Sequence, residues 1–169
     1  MSGHSKWSQI KHKKALTDKR KGQIFSRLSR LITLAARKGT DPKFNTALAQ
    51  IIERARSENM PNDSIERAIK KVSDKGQDQL EELSIEAIGP MNVVIKIGAV
   101  SDNRNRTISE IKKILGDNDF KMVQPGSMTW IFNQPPINID DPDLHKKIDK
   151  LFDALDEQDD IEDVTSNIQ

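Results

Sequence analysis

The chain of 169 residues lacks cysteine and tyrosine, and aromatic residues make up only 4% of it. Without cysteine it can form neither a disulfide nor a thiolate metal site. With 35% hydrophobic and 31% charged residues, the composition predicts a small hydrophobic core in one or two small domains.

Long apolar segments are also missing. No run approaches the ~20 apolar residues needed to cross a bilayer, and the start of the chain has no apolar stretch like that of a secretory signal. We therefore expect no membrane partner and a cytoplasmic location. Because a basic, acid-poor N-terminus is also typical of mitochondrial transit peptides, a mitochondrial location is the alternative.

Motifs of common enzymes are absent from the sequence. It contains no phosphate-binding loop, nucleophile elbow or zinc-protease motif. The three histidines, His4, His12 and His145, do not have the spacing of metal ligands. Acidic residues near 140–143 are interpreted as a turn followed by charges at a helix N-terminus. We therefore expect no enzymatic activity, no cofactor and no metal site.

Charge is abundant, and its two signs are separated along the chain. Residues 1–40 contain eleven Lys or Arg and one acidic residue, whereas residues 135–169 contain three Lys and eleven Asp or Glu. The net charge of +1 hides this gradient. Because a concentrated positive segment gains free energy by neutralising phosphates, the N-terminal part is predicted to bind nucleic acid.

Hydrophobic periodicity divides the chain into three parts. Residues 1–19 are polar, basic and aperiodic, and are interpreted as an arm that is flexible until bound. Residues 20–75 contain three stretches with apolar residues at helical spacing, which predicts a three-helix domain. The basic residues of the first helix are predicted to lie opposite its apolar side: Arg20, Arg27, Arg30, Arg37 and Lys38.

Residues 80–169 change to a mixed pattern. Strands are predicted over 83–87, 93–100, 120–123, 128–132 and 161–168, with a type II turn at Pro125-Gly126. One helix is predicted to start at a capping box of Thr107 and Glu110, and a second over 144–155. From residue 93 the order is β-α-β-β-α-β, so the fold class is α+β: a three-helix bundle followed by a ferredoxin-like α/β domain with an extra strand.

The first candidate interface is the basic arm and the basic side of the first helix. Cations can reach phosphates, and an indole ring can stack on a base. The alternatives are a solvated tail or a membrane-surface segment. The residues concerned are Lys6, Trp7, Lys11, His12, Lys13, Lys14, Lys19, Arg20, Lys21, Arg27 and Arg30.

The second candidate interface is the segment Asn103, Arg104, Asn105 and Arg106, between a strand and a helix N-terminus. Arginine side chains, amides and free helix N–H groups can together hold a phosphate or an RNA edge. The alternative is an Asx-rich turn with two exposed arginines.

Aromatic residues on the predicted 128–132 strand suggest another surface. Met128, Trp130 and Phe132 share one strand face. Aromatics on such sheets can stack bases, but we expect these three side chains to be buried in the core.

Several motifs resemble those of the YebC/PmpR family. The second part of the chain matches it in the segment 102–107, in Gly126-Ser127 and in Trp130 and Phe132, and residues 151–168 are similar to its last helix and strand. The N-terminal matches are Gly3-His4-Ser5-Lys6-Trp7, Ile10-Lys11-His12-Lys13-Lys14, Asp41-Pro42, Asn45, Asn59-Met60-Pro61 and Ile65-Glu66-Arg67-Ala68-Ile69.

The resemblance implies a helical N-terminal domain, α/β domains and no catalytic activity. Members of that family are described as DNA-binding transcriptional regulators or as ribosome-associated translation factors, and the family includes the mitochondrial translational activator of cytochrome c oxidase. The implied partners are promoter DNA, ribosomal RNA or the ribosome. We expect a monomer.

The chain departs from the family pattern most clearly in its length. The family's third domain usually separates the Trp-x-Phe segment from the last helix, and here only residues 133–143 join them, which we expect to form a short exposed connection. A different class of function, a protein–protein adaptor acting through the acidic C-terminal domain, is also compatible with the charge gradient.

Overall fold

The computed structural model describes residues 18–74 and 79–169. These residues separate into two compact units. The described part of the first unit comprises residues 18–74, 79–81 and 100–103, and most of it is helical. The described part of the second unit comprises residues 82–99 and 104–169, and it contains a sheet and helices. The fold class is α+β, as the sequence predicted.

Three helices form the first unit: α1 (Asp18–Ala36), α2 (Thr46–Ser57) and α3 (Asn62–Lys70). They coincide with the three predicted amphipathic stretches. Apolar residues repeat every three or four positions, so each helix turns one face inwards. The resulting core consists of Leu28, Ile32, Ala36, Leu48, Ile52, Ala55, Met60, Ile65 and Ala68.

The loop between α1 and α2 is held by the buried side chain of Asn45. Its oxygen accepts the N–H of Leu48 at 3.1 Å, and its amide nitrogen donates to the carbonyls of Ala35 and Gly39 at 2.8 Å each. One side chain therefore caps α2 and satisfies carbonyls at the end of α1.

The second unit is built on a four-stranded antiparallel sheet. Its strands are β1 (Glu81–Ile88), β2 (Val94–Ser101), β3 (Lys121–Val123) and β4 (Ile161–Ser166), in the order β3-β1-β2-β4. Glu86 aligns with Val123 across β1 and β3, and Ile97 aligns with Val164 across β2 and β4. Helices α4 (Arg104–Asp117) and α5 (Pro142–Glu157) share one core with these strands.

The predicted strand over 128–132 is wrong. The chain makes the predicted tight turn, with Gly126 at φ 85° and the Ser127 N–H donating to the Gln124 carbonyl, but a short 3-10 helix, Thr129–Asn133, follows it. The reason is the sheet order. In a ferredoxin-like sheet that strand would lie between β2 and β3, and β1 already occupies this position. The strand predicted as an extra one is therefore an integral part of the sheet.

A buried carboxylate holds the 3-10 segment against β1. Glu86 accepts the N–H of Met128 at 2.9 Å and the hydroxyl of Thr129 at 3.0 Å. Burial by itself raises the pKa of Glu86, but these hydrogen bonds outweigh it and lower the pKa. The expected burial of the aromatic face was also wrong: Trp130 is 58% exposed, while Met128 and Phe132 are half-buried.

Two predicted helix starts have different outcomes. Helix α5 begins as expected, with the Asp141 carboxylate accepting the N–H of Asp143 at 2.9 Å and Pro142 in the first turn. The capping box of Thr107 and Glu110 is wrong, because α4 already begins at Arg104 and Thr107 lies buried within it. The run of Asx residues before Arg104 offers the helix an earlier start.

The connection over 133–143 is short and mostly exposed. Residues 134–141 contain no helix, and Ile137 forms a parallel bridge with Ile168. The Ile137 N–H donates to the Asn167 carbonyl at 2.8 Å, and Ile137 and Ile139 pack against the core. Most of the segment is exposed, as expected, whereas Ile137 and Ile139 are half-buried and anchor it to the core.

The turn between β1 and β2 supplies a stability prediction. A Cβ atom on Gly89 would lie 2.5 Å from Cζ of the buried Phe120 ring. We expect Gly89→Ala to lower the free energy of unfolding by about 1–3 kcal/mol through overpacking, as measured by urea denaturation. Gly116→Ala is the control, because a Cβ there meets no atom within 4 Å. Equal effects of the two substitutions would contradict the role of this contact.

Candidate nucleic-acid interface

Most of the basic arm lies outside the described residues. This applies to Lys6, Trp7, Lys11, His12, Lys13 and Lys14. The described part of the first candidate interface is therefore the side of α1 that carries Lys19, Arg20, Lys21, Arg27 and Arg30.

These five residues differ in exposure. Lys19 and Lys21 are exposed, Arg20 and Arg30 are half-buried, and Arg27 is only 6% exposed. The predicted solvent-facing position of Arg27 is wrong, because α2 and α3 both pack on α1 and widen its buried side beyond the apolar stripe. Lys19 and Lys21 are therefore the most accessible of the five to a phosphate.

The second candidate interface spans the last turn before α4 and its first turn. Asn103, Arg104 and Asn105 are exposed, and the N–H of Asn103 donates to the Ser101 hydroxyl at 2.9 Å. Helix α4 begins at Arg104, so backbone donors and side-chain donors occur together here. Arg104 and Asn105 can therefore meet an anionic partner.

Arg106 forms an ion pair within the fold. Its guanidinium donates to Oδ2 of Asp160 at 2.9 Å, and the Asp160 side chain is only 6% exposed. Arg106 is exposed, as the sequence suggested, with 44% of its side chain accessible, but it also serves the fold through this ion pair. Its partner lies 54 positions away in the sequence, so only the folded structure reveals the pair.

Asp160 accepts two further hydrogen bonds. The Thr107 hydroxyl donates at 2.6 Å and the Gln158 amide at 3.3 Å. Burial by itself raises the pKa of Asp160, but the hydrogen bonds from Thr107, Arg106 and Gln158 outweigh it, so the pKa is lowered. This network fixes the start of α4 against the turn before β4.

An exposed aromatic ring in the α1–α2 loop was not predicted as a site. Phe44 is 90% exposed. The turn beneath it is closed by the Phe44 N–H donating to the Asp41 carbonyl at 3.1 Å, and the next residue is the buried Asn45. The ring therefore projects from an ordered turn, in a loop that carries three cations, Arg37, Lys38 and Lys43, and one acidic residue, Asp41.

A groove between α1 and α3 was also missed. It has a volume of about 450 Å³, and its lining includes the cationic side chains of Arg30, Arg67 and Lys71. Sequence spacing offered a signal, because positions 64, 67 and 71 follow the i, i+3, i+7 pattern of one helix face. The charge gradient gives no signal for the basic residues of α3, because Asp63 and Glu66 balance Arg67 and Lys70 within that helix.

The described residues contain neither a candidate membrane span nor a candidate metal cluster. No helix within 18–74 and 79–169 combines the length and apolar character of a bilayer-spanning segment. In the same residues, no three His, Asp or Glu side chains are placed to share a metal ion.

Comparison with known proteins identifies the family. The family model described as "TACO1/YebC protein N-terminal domain" matches residues 5–75, and the model described as "TACO1/YebC second and third domain" matches residues 80–137. The chain therefore belongs to the TACO1/YebC family, as the sequence motifs predicted.

Relatives with curated names support a regulatory class of protein. A "Probable transcriptional regulatory protein" of Finegoldia magna is 41% identical over 92% of this chain and 66% of its own length. One of the same name from Chloroflexus aurantiacus is 46% identical over 79% of this chain and 54% of its own length. The chain thus spans about two thirds or less of these relatives, whose names indicate regulation and no catalysis.

A solved structure has the same fold. The crystal structure of a conserved hypothetical protein, Aq1575 from Aquifex aeolicus, superimposes with a TM-score of 0.86 at 28% sequence identity. The alignment covers 98% of this chain and 97% of that chain.

Proposed function

We propose that this protein is a nucleic-acid-binding regulator of gene expression, acting either on promoter DNA or on RNA of the translation machinery. The segregation of positive charge into residues 1–40 carries this proposal. The names of the relatives agree with a regulatory role. The proposed contacts are the basic arm with Lys19, Arg20, Lys21 and Arg30, and the α4 start with Asn103, Arg104 and Asn105.

Sequencing of nucleic acid crosslinked to the protein in cells tests the proposal and chooses between its two forms. Enrichment of promoter DNA supports transcriptional regulation, and enrichment of ribosomal RNA supports a translation factor. Recovery of no specific nucleic acid would contradict both forms. It would then favour an adaptor that acts through the acidic C-terminal part.

We also propose that the 133–143 connection takes the place of the family's third domain. Two observations support this: the anchored bridge between Ile137 and Ile168, and the greater length of the relatives. Any activity that the relatives carry out through that domain would then be absent here.

Phe44 provides a specific prediction within this proposal. Stacking of one base on an aromatic side chain contributes about 1–3 kcal/mol. If Phe44 stacks on a base, Phe44→Leu should weaken binding of a single-stranded oligonucleotide by about 5- to 150-fold, and Phe44→Trp should preserve it. Because the ring is 90% exposed, neither change should shift the melting temperature appreciably. Wild-type affinity of the Leu variant would exclude stacking.

A further inference from the structure

The groove between α1 and α3 has the chemistry of an anion site along its rim. Arg30 reaches it from α1, Arg67 from α3 and Lys71 from the 3-10 turn after α3. No aspartate or glutamate is among the described residues that line it. Asp102 borders a neighbouring depression together with Arg30 and Lys71, so the three cations outnumber the one carboxylate near them. This excess of positive charge favours an anionic ligand.

Hydroxyl groups add directional donors beside the cations. Ser26 and Ser29 line the groove from α1, and Ser64 lines it from α3. Arginine forks together with hydroxyl groups are the usual partners of phosphate oxygens in nucleic-acid complexes.

The lower wall of the groove is apolar and rigid. It is formed by the half-buried ring of Phe25 and the buried side chain of Met60. The Thr33 hydroxyl lies 2.8 Å from the Ala68 carbonyl and ties α1 to α3. A volume of about 450 Å³ lies within the range of small-ligand sites, so the groove can accept a unit as large as a nucleotide.

These features distinguish a single strand from a duplex. The rim alone would suit any phosphate backbone, but a duplex keeps its bases stacked inside and leaves the apolar wall unused. A single strand can place a phosphate on the rim and an unstacked base against Phe25.

We infer that this groove binds one nucleotide of a single-stranded nucleic acid, with its phosphates on Arg30, Arg67 and Lys71 and its base against Phe25 and Met60. The inference rests on the proposed function and extends it, because it names the form of nucleic acid and a contact outside the basic arm.

The test compares two double variants that remove the same charge from the same unit. Arg67→Ala with Lys71→Ala removes two rim cations. Arg54→Ala with Arg56→Ala removes two exposed arginines of α2, which do not line the groove. Each of these cations also borders a second depression that contains carboxylates, Arg67 beside Asp63 and Glu66 and Lys71 beside Asp102, so both are replaced together.

Affinity is measured by fluorescence anisotropy with a labelled single-stranded RNA, the DNA of the same sequence, and its duplex. We expect the rim variant to bind either single strand at least tenfold more weakly, with a log–log salt slope shallower by about 1.4, since two phosphate contacts are lost. The α2 variant should lose less than about threefold. Comparison of the two single strands decides whether RNA or DNA is preferred.

A third variant separates binding from folding. Ser64 is the third residue of α3, where an acidic side chain favours the helix dipole. Ser64→Glu should therefore keep the melting temperature while placing a negative charge in the groove and weakening single-strand binding by tenfold or more. Crosslinking of a 5-iodouridine RNA should give adducts on the tryptic peptide that contains Phe25.

Four results would overturn the inference: equal losses in the rim and α2 variants, full binding by Ser64→Glu, duplex binding reduced as much as single-strand binding, or adducts confined to other peptides. With any of these four results, the proposed function would still be supported as long as the wild-type protein binds nucleic acid. If the wild type bound none of the three probes, both proposals would fail.

Discussion

Replacement of Lys11, Lys13, Lys14, Lys19, Arg20 and Lys21 with alanine should remove most of the salt-dependent affinity for nucleic acid. If these side chains make about six phosphate contacts, the wild-type log–log salt slope on duplex DNA is about −5, so affinity falls roughly a thousandfold between 50 and 200 mM salt. The variant should show a much shallower slope. A filter-binding or anisotropy titration over that range measures both quantities.

A control variant is needed to separate the loss of six positive charges from the loss of these particular side chains. The α/β unit offers six lysines whose replacement alters the net charge by the same amount: Lys112, Lys113, Lys121, Lys146, Lys147 and Lys150. These lie in the more acidic part of the chain, and their removal should leave the slope nearly unchanged. Lys19 and Lys21 are exposed but Arg20 is half-buried, so a melting curve of the arm variant checks that its fold is kept. Equal salt slopes for the two six-residue variants would contradict the proposal that the phosphate contacts are concentrated in the basic arm.

The helices were predictable because their apolar periodicity is local. Each of the three stretches in the first unit carries its own amphipathic pattern, and α5 carries its own cap at Asp141. The burial of Arg27 was not predictable in the same way. It depends on two other helices contacting α1, which no pattern within α1 reports.

The sheet shows the same division between local and non-local information. The alternation of Leu83, Ile85 and Ala87 correctly indicates β1. Its place in the middle of the sheet could not be derived from that alternation. The sequence signals for a hairpin near Gly126 are real, but β1 already fills the position that a strand over 128–132 would take.

The sequence could predict which basic residues belong to the candidate site, but it could not predict which residues they contact in the fold. Arg104 and Arg106 lie two positions apart and look equivalent in the sequence, yet Arg106 pairs with Asp160 in the folded chain. The groove between α1 and α3 combines two segments about forty positions apart. Its serine and arginine spacing on α3 was visible, but only the packing of α3 against α1 places those residues beside Arg30.

The Asp160 network leads to the largest expected effect on stability. Asp160→Ala removes the acceptor shared by Thr107, Arg106 and Gln158, and we expect the free energy of unfolding to fall by about 2–3 kcal/mol. Arg106→Ala should cost only about 1 kcal/mol, because its side chain is 44% exposed. Arg104→Ala should change stability by less than about 0.5 kcal/mol. Urea denaturation at neutral pH measures all three.

The same network predicts the direction of a pH effect. The folded pKa of Asp160 is lowered, so its contribution is fully present above its unfolded pKa of about 3.9. It is lost as pH falls through the lower, folded pKa. The stability difference between the wild type and Asp160→Asn should therefore shrink progressively below about pH 4. A difference that stays constant to pH 2 would mean that the carboxylate charge does not contribute.

The two arginines can then be separated by function. If the α4 start orients this unit on its target, as we propose, Arg104→Ala should weaken binding to ribosomal RNA or promoter DNA while the melting curve stays unchanged. Arg106→Ala should lower the melting temperature, and any loss of binding should follow from the disturbed start of α4. Lys121→Ala, a single exposed cation elsewhere in the same unit, is the control. Wild-type binding by Arg104→Ala would show that the exposed arginine at the α4 start has no role in recognition.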